Sequence, residues 1–230
     1  MIKNITGKAT PMGGADRLDE YRRFGGCVSD VPLPNFAETL NSGSRQTIVV
    51  RGGWAITGAG CLPAEGARIA DVEDADAGAI LQVDDRFELP RRFSLHVLRV
   101  DATTRGRIES SASSARRVHT AIVSAQATWC AQVLDLLQDY FSVRGAGTGS
   151  LAKIATLRHQ LGDAQRQLRF FEEWLHVSGN ASSQLATEIA IFSASLARLG
   201  GGRSFLAGSL CDAAAMYALL VNLYSSVEHE

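Results

Sequence analysis

The residues of this chain that could do chemistry are few and scattered. Its four cysteines are Cys27, Cys61, Cys130 and Cys211. None are spaced as C-x-x-C, so neither a redox dithiol nor a thiolate zinc site is indicated. They read as reduced, mostly buried thiols. The five histidines do not fall at ligand spacing. His96 reads as a strand residue, His119, His159 and His176 as residues of three helices, and His229 as part of a frayed tail. No metal site is expected. No G-x-S-x-G elbow presents a nucleophilic serine, and no G-x-G-x-x-G follows a strand to open a dinucleotide-binding fold. One loop stands out, Gly145-Ala146-Gly147-Thr148-Gly149, directly after Arg144. Its backbone amides could cradle a phosphate. The same residues serve equally as a plain turn between helices, and both readings stand at this point.

Composition sets the frame for these residues. The chain has 230 residues, enough for one large or two small domains, with 46% hydrophobic and 20% charged residues. A formal net charge of −1 gives no electrostatic reason to bind nucleic acid or an anionic membrane. The arginines at 91, 92, 105, 107, 116 and 117 are interspersed with acids and read as a solvated face. No apolar stretch approaches the ~20 residues of a membrane span, and the first residues lack the apolar core of a signal peptide. The expected location is the cytoplasm.

The elements that must hold these groups divide at Pro90, because no proline follows it. Proline costs a helix interior ~3 kcal/mol or more, so the later part is free to form long helices. From Ala112 a stripe runs through Val118, Ile122, Ala125, Trp129, Val133, Leu137 and Tyr140. At a spacing of three to four it predicts a helix of about 30 residues and ~45 Å. A second stripe runs from Leu151 through Ile154, Leu157, Leu161, Ala164, Leu168 and Phe171 to Trp174, and Ser178-Gly179-Asn180 closes it. A third comprises Leu185, Ile189, Phe192 and Leu196, ended by Gly200-Gly201-Gly202. The fourth is Leu210, Ala213, Met216, Leu220, Leu223 and Val227. Four one-faced helices on short connections predict an up-down four-helix bundle, with the aromatic and methionine side chains in its core. Earlier in the chain, Gln46–Val50 and Trp54–Thr57 flank Gly52-Gly53 and predict a hairpin. Ala79–Val83 and Phe93–Val100 are further strands. The expected class is α+β. Residues 1–25 are poorly structured apart from a short helix around Asp16–Phe24, 26–108 form a small antiparallel β domain, and 109–230 form the bundle.

Several segments carry a more specific likeness. Cys27-Val28-Ser29-Asp30 followed by Thr47–Gly58, with Trp54 near its close, resembles the start of the middle domain of acyl-CoA dehydrogenases. Tyr140–Arg144 resembles the tyrosine-to-arginine segment that ends that family's first bundle helix. Leu157-Arg158-His159-Gln160-Leu161-Gly162-Asp163 is similar to a segment of its second bundle helix. Leu199-Gly200-Gly201-Gly202-Arg203-Ser204-Phe205 resembles the glycine turn before its last helix. The order and spacing of these segments over residues 27–225 mark the chain as similar to a truncated, degenerate member of that superfamily, without the N-terminal helical domain.

The resemblance implies FAD as cofactor, with Arg144 on its diphosphate across a subunit interface and Gly201 and Gly202 in the flavin-side turn. It implies a glutamate base in one of two positions. If Tyr224 matches the tyrosine before the first, that position holds Ser225. The second falls on the pair Arg116 and Arg117. Glu109, Glu228 and Glu230 are nearby acids on no matching position. General-base catalysis needs a proton acceptor within hydrogen-bond reach, and serine is not one without an activating partner. Expected flavin contacts are replaced at Ala155, Ala197 or Arg198, Met216-Tyr217, Gly60 and Cys61-Leu62-Pro63. The expectation is therefore an acyl-CoA dehydrogenase-like protein without its own dehydrogenation chemistry. It would homo-oligomerise, or pair with an intact relative of the family, with FAD lost or shared with the partner. The alternative is an FAD-dependent oxidoreductase, or a repurposed non-redox enzyme, acting on an acyl thioester.

Overall fold

The structure, a computed structural model, describes residues 33–44, 47–58, 68–72, 80–101, 104, 108–146, 149–201 and 209–225. The expected helix around Asp16–Phe24, Cys27 and Cys61 lie outside them. Among the described residues no helix is long and apolar enough to cross a membrane.

The fold mixes helices with a small sheet. The helices are α1 (Phe36–Ser44), α2 (Glu88–Arg92), α3 (Ala112–Val143), α4 (Ala155–Ser178), α5 (Ser183–Leu199) and α6 (Leu210–Tyr224). Strands β1 (Trp54–Gly58), β2 (Leu81–Val83) and β3 (Leu95–Val100) form an antiparallel sheet in the order β1-β3-β2. A second, minimal pair joins β4 (Gly145–Ala146) to β5 (Gly149–Ser150).

Local chemistry explains the helix limits. The Ser111 side chain caps α3 by accepting from the Ser114 N–H, and Ser182 caps α5 by accepting from Leu185. The α4 helix stops where Gly179 turns left-handed at φ 64° and its N–H reaches the Leu175 carbonyl. The first stripe of expected core residues is buried along α3 except Ala125, which packs at its margin. Along α5 all four expected residues are buried. The α4 stripe differs: only Ala164, Leu168 and Phe171 are buried, and Ile154 is 41% exposed. This helix packs on α3 and, more lightly, on α5, so one side of it never meets the core.

Two helices lie outside the expected set, α1 and α2. The signal for α1 was local. Asn35 Oδ1 accepts from the Glu38 N–H at 3.2 Å while Asn35 Nδ2 donates to Glu38 Oε2 at 3.1 Å, a variant of the capping box. The α1 helix lies along α3 where Gly43 lets the backbones close, since a Cβ there would stand 2.9 Å from Val118 Cα.

The expected hairpin is corrected. Gly52 and Gly53, at φ 57° and 78°, do make its turn, and Arg51 and Trp54 exchange backbone hydrogen bonds of 2.8 and 2.9 Å. Beyond that pair the two arms separate. Ile48 bonds to Arg68 and Ala70, and the Val50 N–H donates to Ser110 Oγ, so β1 takes β3 as its partner instead. The histidine placement is corrected as well, because His159 and His176 share α4 and only two helices carry the three residues.

One core cluster unites sheet and helices. It contains Phe36, Leu40, Val49, Ile56, Leu95 and Val97 together with the inner faces of α3, α5 and α6. A smaller cluster under the other face of the sheet holds Ile48, Val50, Ala55, Ile69, Leu81 and Leu98. Tyr217 of α6 is clamped edge-on by Phe36 at 4.7 Å and tilted against Trp129 at 5.6 Å.

Candidate functional site

The start of α3, the α4–α5 junction and the residue after α6 come together at one place in the fold. A cleft of about 200 Å3 opens there, lined by Arg116, His119, Asn180, Ala181, Ser182, Ser183 and Ser225. Arg116 and Ser225, which the sequence places far apart, therefore meet at one site. Arg117 turns away and donates to Ser114 Oγ at 2.8 Å.

Each lining group has a defined chemical character. Arg116 is exposed and brings a guanidinium, a planar set of hydrogen-bond donors. The first N–H groups of α5 point out of the helix start beside Ser182 and Ser183, adding partial positive charge. Ser225, the residue that follows α6 and caps it, brings a hydroxyl. His119 is only 4% exposed, and its Nε2 has no hydrogen-bond partner. Desolvation pushes its imidazole below the usual histidine range, with the Ala181 backbone pulling weakly the other way. It is therefore a neutral ring at pH 7. The cleft is suited to hold an anion or a polarised carbonyl, and His119 is the one member that could accept a proton.

His119 was not read from the sequence as part of a site. It follows Val118 of the apolar stripe, and its seven-residue spacing from Gln126, also fully buried, was the available signal for a second inward-facing row. Gln126 itself donates to Ser193 Oγ at 2.9 Å across α3 and α5.

The residues expected to hold a flavin stand elsewhere. Arg144 caps the far end of α3, exposed. Its guanidinium donates to its own Tyr140 hydroxyl and lies 5.2 Å over that ring. Gly201 follows the far end of α5, exposed and left-handed at φ 73°. Gly202 lies outside the described residues, as do Gly147 and Thr148 of the glycine loop. The described part of that loop belongs to the β4–β5 pair, in which Gly145 pairs with Ser150 and Ala146 with Gly149. A cofactor pocket usually measures ~300–1,000 Å3. The cleft is smaller, and the described residues do not bring Arg144 to it, since Arg144 caps the other end of α3. Nor do they group three or more histidine, cysteine or acidic side chains as a metal would need. Cys130 is fully buried and its thiol is pushed far up by desolvation, which makes it inert rather than nucleophilic.

No protein-family model matches the chain, and no curated protein matches it.

Proposed function

We propose that this chain is an acyl-CoA dehydrogenase-like protein without its own dehydrogenation chemistry, acting as an oligomerising or partner subunit in the cytoplasm. In this reading α3 to α6 form an up-down four-helix bundle of that superfamily's kind, with the sheet as the remnant of its middle domain. The supporting observation is the convergence at the cleft. The two positions where the resemblance expects a glutamate line one site, and they hold Arg116 and Ser225. No carboxylate is among the cleft's described lining residues. A guanidinium cannot take a proton from carbon, and a serine hydroxyl without an activating base does so poorly. Arg144, exposed at a helix end, remains available to a neighbouring subunit's cofactor.

Two measurements test this reading on the purified full-length chain. Saturated acyl thioesters with an electron-accepting dye should give no turnover, and denaturation should release no flavin. Light scattering after gel filtration should give a multiple of the 24.6 kDa chain mass. Dye reduction, or a stable monomer, would overturn it.

His119 favours a second reading, a repurposed non-redox enzyme on an acyl thioester or related acyl group. A neutral, buried imidazole beside an arginine and a helix N-terminus is a general base next to an anion-stabilising pair. Thioester hydrolysis that the wild type performs and His119→Gln abolishes would select it.

A further inference from the structure

The outer side of α4 carries a row of residues that the other described residues leave exposed or half-exposed. Asp163, Arg166, Phe170, Glu173 and Val177 follow one another at spacings of three to four, so they form one stripe. Ala164, Leu168 and Phe171 occupy the opposite, buried side. Phe170 is 53% exposed and Val177 85%, among the largest exposed apolar side chains of the protein. Trp174 packs edge-on against Phe170 at 5.4 Å and holds it upright. The Phe171–Phe192 ring contact at 5.5 Å packs α4 against α5, where Ile191 is 59% exposed.

The charges around this apolar centre are arranged so that the stripe complements itself. Arg166 lies on one side of Phe170 and Glu173 on the other. Glu173 makes no ion pair or hydrogen bond within the described residues, and Arg166 holds only the i,i+3 pair with Asp163 on the open surface. Two copies of α4 laid antiparallel about a twofold axis between Arg169 and Phe170 set each Arg166 level with the other copy's Glu173. The same register sets Asp163 level with His176, and brings the two Phe170 rings together at the axis. A twofold interface requires this reciprocity, in which one residue meets another and the second meets the first.

We infer that the α4 face around Phe170, flanked by Arg166 and Glu173, is a docking surface for a second copy of this chain. This rests on the oligomerising reading and assigns it a face. Aromatic rings at the centre with a charged rim match the anatomy of protein interfaces. The rim charges would set register and exclude wrong partners rather than supply most of the affinity.

The test is a charge exchange, read by sedimentation velocity on the full chain. Arg166→Glu alone, or Glu173→Arg alone, sets like charges opposite each other twice in a homodimer. Each should raise the dimer dissociation constant roughly tenfold or more. Mixing the two single variants should restore the dimer, because the mixed pair regains opposite charges. The double variant Arg166→Glu/Glu173→Arg should dimerise as the wild type does. Single variants that stay as tightly associated as the wild type would overturn this face and leave oligomerisation standing. Single variants that dissociate and are not rescued by mixing would also overturn it. A monomeric wild type would overturn both readings.

Discussion

The Tyr224 hydroxyl is wedged between two backbone groups that the Gly52-Gly53 turn would otherwise have joined. It accepts from the Ile56 N–H at 3.2 Å and lies 3.4 Å from the Val49 carbonyl. In the register set by the Arg51–Trp54 pair, Val49 and Ile56 would be the next hydrogen-bonded partners. The last residue of α6 thus keeps the two arms apart and satisfies both with one phenol, 168 residues distant from Ile56.

Tyr224→Phe is expected to destabilise the fold. It removes the shared partner of a buried donor and a buried acceptor, and each unsatisfied group costs about 1–3 kcal/mol. Urea unfolding at pH 7 followed by circular dichroism measures the loss. An unchanged midpoint would mean that the arms close on each other without cost.

Alkaline pH should act through the same residue. Burial pushes the Tyr224 phenol up to about 12 from an ordinary value of 10.0. Tyr217 is pushed in the same direction by the same cause. The folded state holds these groups neutral, so their contribution is complete below pH 10 and is lost as the pH rises toward the folded values. Stability should fall steeply above about pH 10, and less steeply in Tyr224→Phe. Chemical denaturation at stepped alkaline pH checks the difference in slope.

On the acid side His119 has the opposite effect. Its folded value is lowered from 6.5 by desolvation, so the unfolded chain takes up the proton first. The stabilisation is complete above the unfolded value and is lost as the pH falls through the folded one. His119→Leu should flatten the decline in stability below about pH 6.5. Parallel urea titrations of both proteins at falling pH would show it.

Gly58 is required by close approach. A Cβ there would stand 2.6 Å from the Ala37 Cβ, where β1 meets α1. Gly58→Ala should cost about 1–3 kcal/mol through overpacking. Adding Ala37→Gly should recover part of it, even though glycine within a helix itself costs up to about 1 kcal/mol. A double-mutant cycle on unfolding free energies tests the coupling, and additive losses would show that the two residues do not compete for space.

Cys130 should resist alkylation in the native protein. It is fully buried and its thiol is pushed well above the thiolate range. Iodoacetamide labelling read by peptide mass spectrometry should modify Cys130 only after unfolding.

The sequence by itself determined the long helices and most of their limits. Helical spacing, a capping serine and a left-handed glycine act within a turn or two of chain, so Ala112–Val143, the Gly179 stop and the buried face of α5 could be read without a fold. It also determined which residue types occupy positions 116, 144 and 225. Tertiary structure alone decided which groups became neighbours. The choice of β3 over the 48–50 arm as partner of β1 depended on Tyr224 arriving from the far end of the chain. Arg116, His119 and Ser225 share a cleft only because α3, the α4–α5 junction and the end of α6 pack together there. The α4 stripe is half exposed because its neighbours cover one side of it. Such outcomes are contacts between distant segments, settled by the packing of whole elements, and no local pattern encodes them.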